Sequence, residues 1–191
     1  MTPATRDWLD SLALPGRPDE HEAKRLLAGH GLRVPASQCV AAGGPGSVQP
    51  PAPGFQGPYV VKVCSADILH KTDSGGVLLG VDRAGLAGAI ERIQGRFPGR
   101  AVLVEEQVAF AGPEFIVGAF RDPMFGPAVM TGAGGILTEL YKDVAFRLVP
   151  CTGREALRML AELTVHPVLG GFRGLAVDAG GLADAVAAVS S

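Results

Sequence analysis

Short apolar runs and longer amphipathic stretches alternate along the chain, separated by glycine, proline and other turn residues. The apolar runs are rich in β-branched and aromatic residues and predict strands at residues 32–40, 59–64, 76–81, 101–108, 114–120, 125–131 and 144–150. Apolar residues three or four positions apart predict helices at residues 19–29, 83–97, 154–164 and 182–189. Helices and strands mixed in this order indicate an α+β fold with mixed or antiparallel sheets in two lobes.

The same pattern predicts the limits of the lobes. We expect residues 1–18 to form a flexible leader, because prolines and a glycine interrupt its short apolar stripe. Residues 19–105 are expected to form the first lobe and residues 106–191 the second. Residues 43–58 have no helical or strand period and carry prolines at positions 45, 50, 51, 53 and 58, so they predict an extended surface loop or a locally disordered segment in the first lobe.

Composition narrows the class of protein. The 191 residues are 47% hydrophobic and 19% charged, which excludes a disordered chain and supplies a core. A formal net charge of -2 without a long basic run argues against nucleic acid as a partner. No apolar run approaches the roughly 20 residues that span a bilayer, so we expect no membrane partner and a cytoplasmic location. The cysteines at 39, 64 and 151 have no metal-ligand spacing and are expected to be reduced core residues.

Lys62 stands in the middle of the apolar strand YVVKVC, where an unpaired ammonium is costly to bury. We therefore expect its side chain to point at an anionic group. The alternative is an edge-strand lysine whose ammonium reaches water along the surface of the sheet.

The loop after this strand, HKTDSGG, combines His70 and Lys71 with the glycines Gly75 and Gly76. Backbone N–H groups and one cation in such a loop can bind phosphate oxygens. The imidazole of His70 is a nucleophile that can accept a phosphoryl group. The alternative is a hydrogen-bonded loop histidine without a chemical role.

Carboxylates mark two strand ends. Glu105 and Glu106 close an apolar strand and are followed by Gln107 and Val108, whose backbone groups can bind the edge of an adenine. A solvated strand end is the alternative. Glu114, at the start of the next strand, can accept hydrogen bonds from ribose hydroxyls, or simply face solvent.

A glycine-rich segment, TGAGGILTELYKDVAFR, follows the last of the central strands. Gly134 and Gly135 permit close approach of the backbone to a ligand. Glu139, Asp143 and Arg147 follow with a spacing of four, so the segment predicts the phosphate or metal side of a site. The alternative is a bulge followed by a row of helical salt bridges. The sequence does not determine the metal ligands.

Dinucleotide-binding, Walker and nucleophile-elbow motifs do not occur in the chain. Five blocks taken in order nevertheless resemble one family: VVKV, S-x-DI-x-HKTDSGGV, LVEEQV, PEFIVGAFRDPMFGPAVMTGAGGILTELYKDVAFRLVP and GGFRGLAVD. They resemble the ATP-grasp, β-type subunit of NDP-forming acyl-CoA synthetases, such as ADP-forming acetyl-CoA synthetases and, more distantly, succinyl-CoA synthetases. The resemblance runs from about residue 20 to residue 190 and implies a two-lobed ATP-grasp fold.

The family reversibly converts acyl-CoA, ADP and phosphate to free acid, CoA and ATP through a phosphohistidine. The resemblance therefore implies that the chain binds ATP or ADP with Mg²⁺ and works with a CoA-binding partner, which provides the site for the acyl-CoA or carboxylic acid. It implies that His70 carries the phosphoryl group and that Lys62 binds nucleotide phosphates. The remaining matched positions form the phosphate-side loop, the adenine-binding hinge and the nucleoside-binding acid: Lys71, Gly75, Gly76, Glu106, Gln107, Val108 and Glu114.

Two departures from the family pattern bear on activity. The family has a helix before the Lys62 strand, where this chain has the proline-rich segment 43–58. The chain also ends at Ser191, before the place where the family has two strands whose Asn and Asp hold Mg²⁺. We therefore expect the Mg²⁺ ligands to be missing. Glu139 and Asp143 are the only nearby acids, and a structural role suits them better.

Two other functions remain open at this level. One is a non-catalytic nucleotide-binding or scaffold subunit, which the two departures favour. The other is an ATP-grasp ligase that joins a carboxylate to an amine, in which His70 would have no role.

Overall fold

A computed structural model of the chain describes residues 18–43, 55–68, 70–135, 142–174 and 177–191. These fall into two compact units. The N-terminal unit comprises the described part of Pro3–Gly29 together with Arg33–Ala109, and the C-terminal unit comprises His30–Leu32 and Phe110–Ser191. The predicted leader, apart from Pro18, and residues 44–54 of the predicted loop lie outside the described residues. Within the described ranges, none of the helices has the length and apolar character needed to cross a membrane.

In its described residues, the N-terminal unit is a four-stranded antiparallel sheet with two helices. Its elements are α1 (Glu20–Gly29), β1 (Ser37–Val40), β2 (Tyr59–Cys64), β3 (Val77–Val81), α2 (Leu86–Arg96) and β4 (Ala101–Glu106). The strands are ordered β1-β4-β2-β3, so β2 and β4 are central. β2 pairs with β3 across the HKTDSGG loop. β1 is shorter than its predicted span of 32–40, since Pro35 lacks the N–H that a ladder requires and the pairing with β4 begins at Ser37.

The two faces of this sheet differ in chemistry. Val61 pairs with Val104 and Val63 with Val102, so all four side chains lie on one face. They form the core of the unit with the buried residues of α2, which are Leu86, Ile90 and Ile93. The intervening residues of β2 and β4 point to the opposite face, which therefore carries Lys62 and Glu105.

The C-terminal unit is a three-stranded antiparallel sheet covered by helices. Its elements are β5 (Phe115–Asp122), β6 (Gly126–Ala133), β7 (Val144–Leu148), α3 (Gly153–Glu162), α4 (His166–Leu169), a 3₁₀ helix (Phe172–Gly174) and α5 (Ala179–Val189). The strands are ordered β5-β6-β7. The core joins the sheet to α3 and α5 through buried residues such as Val129, Met159 and Val186. The short α4 and the 3₁₀ helix were not predicted from the sequence.

Local signals explain the main boundaries of this unit. Thr152 and Glu155 form a capping box that starts α3, and the buried stripe of α3 contains Met159 and Leu160. Asp122 closes the β5-β6 hairpin by accepting hydrogen bonds from the N–H groups of Met124 and Phe125, each 2.8 Å long. Helices combined with two antiparallel sheets confirm the predicted α+β class. The predicted lobe limits at residues 105 and 106 stay a prediction.

Candidate functional site

Lys62 lies on a central strand, not on an edge strand. β2 is hydrogen-bonded to β4 on one side and to β3 on the other. The side chain of Lys62 is only 14% exposed. The alternative of an edge lysine that reaches water is therefore wrong, and the ammonium is held instead by carboxylates on its own face of the sheet.

Two glutamates and three lysines form one ion cluster on this face. Glu20, in the first turn of α1, accepts from Lys24 at 2.8 Å, from Lys71 at 2.6 Å and from Lys62. Glu105, near the end of β4, pairs with Lys62 at 2.6 Å and with Lys24. The cluster thus joins α1, β2, β4 and the HKTDSGG loop, and it brings together the two lysines that the sequence marks as phosphate-binding.

The position of Glu20 follows from the start of its helix. Asp19 and Glu22 form reciprocal hydrogen bonds of 2.9 Å between side chains and backbone N–H groups, which cap α1. This cap places Glu20 one residue after the N-cap, where the helix dipole also favours a carboxylate. Sequence reasoning predicted a helix at residues 19–29 but not the contacts of Glu20.

Two members of the cluster, Glu20 and Lys62, have clearly shifted pKa values, and both shifts favour the charged form. Burial opposes ionisation of Glu20, but the hydrogen bonds from the three lysines outweigh it and lower its pKa to about 2. Burial likewise opposes the charge on Lys62, but the carboxylates of Glu105 and Glu20 raise its pKa above the ordinary value. The carboxylates therefore keep a partly buried ammonium protonated.

The HKTDSGG loop is a compact turn that its glycines make possible. The backbone carbonyl of His70 accepts from the N–H and the hydroxyl of Ser74, and the N–H of Gly76 donates to the carbonyl of Lys71 at 2.6 Å. Gly75 has a φ of +68°, and a Cβ on Gly76 would lie 2.7 Å from a methyl of Val63. The imidazole-bearing residue His70 is exposed, whereas the side chain of Lys71 is 16% exposed and directed at Glu20.

Glu105 and Glu106, at the end of β4, point to opposite faces of the sheet because side chains alternate along a strand. Glu105 is 4% exposed and lies in the ion cluster, so the expectation of a solvated strand end is wrong for this residue. Glu106 is exposed, and its N–H donates to the carbonyl of Ala36. The side chain of Gln107 accepts a 2.6 Å hydrogen bond from the N–H of Gly80, and Val108 is 52% exposed. The predicted hinge residues thus leave the sheet at the end of the N-terminal unit, with Gln107 anchored to β3.

In the C-terminal unit, the predicted residues Glu114, Gly134 and Gly135 lie together. The N–H of Gly134 donates to the carbonyl of Glu114 at 2.7 Å. A Cβ on Gly134 would lie 2.7 Å from the backbone carbon of Glu114, and a Cβ on Gly135 would collide with the Glu114 carboxylate. Close approach of the backbone therefore requires glycine at position 134, and the positive φ of +59° favours it at position 135.

Asp143 has a structural role. Its carboxylate accepts hydrogen bonds from the N–H groups of Thr164 and Val165, 2.8 and 2.9 Å long, and these outweigh desolvation to lower its pKa. Arg147 lies in β7 and pairs with Glu162. The alternative of a helical salt-bridge row is therefore wrong for these residues, because the last of them lies in a strand. Glu139 lies outside the described residues.

The described residues hold no cluster of acidic side chains that would bind Mg²⁺ by itself. Among them, no group of three or more His, Cys, Asp or Glu side chains has a metal-binding arrangement. Both carboxylate oxygens of Asp143 already accept backbone hydrogen bonds. All three cysteines are free, and Cys64 and Cys151 are buried.

A cavity of about 540 Å³ in the C-terminal unit is a separate feature. It is lined mainly by exposed aromatic and aliphatic side chains of the hairpin and β7, including Phe120, Phe125 and Phe146. In the described part of the chain, Arg147 is the one residue of the predicted phosphate or metal segment that lines this cavity.

Sequence reasoning missed Glu20, Lys24 and the burial of Glu105. One signal was available for Glu105. It directly follows the apolar residues AVLV of a strand, and because side chains alternate between the two faces, one of the two glutamates had to lie on a buried face. For Glu20, the spacing of four to Lys24 indicated only a local helical ion pair, because its other partners, Lys62 and Lys71, lie 42 and 51 residues further along the chain.

Comparisons with known proteins agree with the resemblance. A family model described as an ATP-grasp domain matches residues 16–191. The chain is 44% identical over 124 residues to the ADP-forming acetate–CoA ligase I of Archaeoglobus fulgidus, covering 61% of this chain and 18% of that protein. It is 37% identical over 167 residues to subunit beta of the ADP-forming acetate–CoA ligase I of Pyrococcus furiosus, covering 81% of this chain and 69% of that subunit. The matched region is therefore a small part of the first relative and about two thirds of the second.

Solved structures share the fold. A crystal structure from Pyrococcus horikoshii matches with a TM-score of 0.83 and 34% identity, covering 98% of this chain and 82% of that chain. The acetyl-coenzyme A synthetase 1 of Ca. Korarchaeum cryptofilum matches with a TM-score of 0.78 and 33% identity, covering 97% and 84%. That structure is a complex with coenzyme A and Mg-AMPPCP, with its phosphohistidine segment pointing towards the nucleotide-binding site.

Proposed function

The chain belongs to the ATP-grasp family, and from that premise we propose that it is the nucleotide-binding part of an ADP-forming acyl-CoA synthetase. The reaction converts acyl-CoA, ADP and phosphate to free acid, CoA and ATP, and it is reversible. The names of the relatives support this assignment, since they are ADP-forming acetate–CoA ligases and one is a subunit beta. A CoA-binding partner subunit or domain supplies the acyl site.

One observation carries the proposal. Lys62 and Lys71 come from different segments but direct their ammonium groups to the two oxygens of one carboxylate, that of Glu20. A carboxylate and a phosphate group present similar pairs of anionic oxygens, so two lysines in this arrangement are suited to phosphate. The exposed His70 precedes Lys71 in the same loop, so this loop carries both a nucleophile and a phosphate-binding cation.

The proposed chemistry is a phosphoryl relay through His70. In the direction of ATP synthesis, an imidazole nitrogen of His70 attacks phosphorus, a P–N bond forms, and the P–O or P–N bond to the donor breaks. An oxygen of the ADP β-phosphate then attacks the same phosphorus, the P–N bond to His70 breaks, and neutral imidazole is regenerated. Lys62 and Lys71 offset the negative charges that the two phosphate groups bring together.

The remaining predicted residues take supporting roles in this proposal. Glu106, Gln107 and Val108 bind the adenine edge, and the anchoring of Gln107 to β3 supports a defined backbone there. Glu114 contacts the nucleoside. The backbone at Gly75, Gly76, Gly134 and Gly135 approaches the phosphates. Residues 19–105 and 106–191 are proposed as the two lobes. The family resemblance implies Mg²⁺ as a cofactor, and no step is assigned to it.

Phosphoryl labelling tests the relay. The chain, reconstituted with its CoA-binding partner, is incubated with ATP labelled at the γ-phosphate, quenched at alkaline pH to preserve phosphohistidine, and mapped. We expect label on His70, none at this position in His70→Ala, and undiminished labelling in His166→Ala, which removes an exposed histidine of α4.

Two results would contradict parts of the proposal. Label on the partner alone, with His70→Ala keeping full acyl-CoA-dependent ATP synthesis, would exclude His70 as carrier. Absence of any ATP or ADP binding by the wild-type chain would favour a non-catalytic scaffold.

A further inference from the structure

We infer that Glu105 is a positioning residue of this site, which, together with Glu20, holds the Lys62 ammonium in place and in its charged form to meet a nucleotide phosphate. The inference rests on the proposed function and extends it to a residue that does not itself contact the nucleotide.

The contacts of Glu105 fix the position of Lys62. The two residues lie on paired central strands, where Val60 is opposite Glu105 and Lys62 is opposite Leu103. Oε2 of Glu105 is 2.6 Å from Nζ of Lys62, and Oε1 pairs with Lys24. The side chain of Glu105 is 5% exposed, so little water competes for either oxygen. Glu105 thus has the most buried side chain of the cluster.

The contacts also leave hydrogen-bonding capacity for a ligand. An ammonium has three N–H donors. In the described cluster, Lys62 uses one on Glu20 and one on Glu105, and Lys71 uses one on Glu20. One N–H of Lys62 and two of Lys71 remain for phosphate oxygens. Three ammonium groups against two carboxylates also leave the cluster with a net positive charge.

Without Glu105, three ammonium groups would face a single carboxylate. Partial burial and two neighbouring cations would then both favour the neutral form of Lys62. The two glutamates therefore keep Lys62 charged although its side chain is partly buried.

The titratable groups that face Lys62 come from α1, the HKTDSGG loop, β4 and the same side of β2 and β1: Glu20, Lys24, Lys71, Glu105, Cys64 and Cys39.

The pH dependence of ADP affinity tests this role, since a purely structural contact would not change it. Calorimetry is done between pH 7.5 and 9.5, where the phosphates of ADP are already ionised. We expect the affinity of the wild type to change less than about twofold, and that of Glu105→Gln to fall about tenfold as one lysine loses its proton. Glu105→Asp, which keeps the charge, should restore a flat profile.

The matched control is Glu91→Gln, which removes the same charge from an exposed position of α2 and should behave like the wild type. A second readout is NMR of ¹³C-labelled lysine side chains, in which the Lys62 signal is assigned from its loss in Lys62→Met. The Lys62 titration midpoint should move to lower pH in Glu105→Gln. If this variant does not fold, Glu20→Gln removes the other carboxylate and should move it in the same direction.

Two failures can be distinguished. If the wild type binds ADP and Lys62→Met does not, but the glutamate variants keep the wild-type profile and Lys62 titration, the positioning role is overturned and the proposed function stands. If the wild type binds no ADP at any pH, the proposed function fails and the positioning role fails with it.

Discussion

Replacement of Lys62 by methionine is the most direct probe of the candidate site. Methionine keeps an unbranched side chain on the central strand but removes the ammonium that pairs with Glu20 and Glu105. If Lys62 binds phosphate, the loss of one charge-assisted contact costs about 1.5–3 kcal/mol. We therefore expect ADP to bind about ten- to a hundredfold more weakly.

The same change affects stability by an amount that the cluster limits. Breaking a buried ion pair costs about 3–5 kcal/mol when it leaves a charge uncompensated. Here Lys24 still pairs with both carboxylates, and Lys71 with one of them. We expect the free energy of unfolding to fall by the smaller amount of about 1–3 kcal/mol, so that the variant remains folded for binding measurements.

Calorimetry with ADP and urea unfolding of the same samples separate the two effects. Arg92→Met is the control, because it removes one positive charge from an exposed position in the same unit. Its ADP affinity and stability should match those of the wild type. An unchanged ADP affinity in folded Lys62→Met would refute the reasoning that its ammonium meets the nucleotide.

Further predictions concern stability. The pKa of Glu20 is about 2 in the folded chain against an ordinary 4.5. The ionised carboxylate therefore contributes to the free energy of unfolding above about pH 4.5, and this contribution is lost as the pH falls towards 2. Unfolding curves measured from pH 2 to 6 should show a loss of about 2 kcal/mol, after allowance for solvent screening, and Glu20→Gln should lack this loss. Thr152→Ala removes the cap of α3 and should lower the free energy of unfolding by about 1 kcal/mol in urea, and an unchanged value would contradict the capping role. Gly76→Ala should destabilise the folded chain because the new methyl group would collide with Val63. Gly88→Ala places its methyl group in open space on α2 and should raise the free energy of unfolding by about 0.5–1 kcal/mol. Thermal unfolding that ranks the two variants in the opposite order would exclude this explanation.

Local signals in the sequence were sufficient for most elements of the fold. The helix that starts at Thr152 has its cap and its buried stripe within a single segment, and the β5-β6 hairpin has its turn in Asp122 and the residues that follow. These structures form between residues a few positions apart, so pattern and turn chemistry predict them. The family motifs also located Lys62 and the HKTDSGG loop.

Only the tertiary structure decided which charges meet. Glu105 and Glu106 are adjacent and chemically identical, yet pairing with β2 places the first in a buried cluster while the second is exposed. Lys62 and Glu20 are 42 residues apart and meet because α1 lies on the polar face of the sheet. Strand order and helix placement depend on the burial of the whole core, which no local pattern encodes. For this reason the sequence by itself indicated that Lys62 would pair with an anionic group, while the fold determined that Glu20 and Glu105 bind its ammonium.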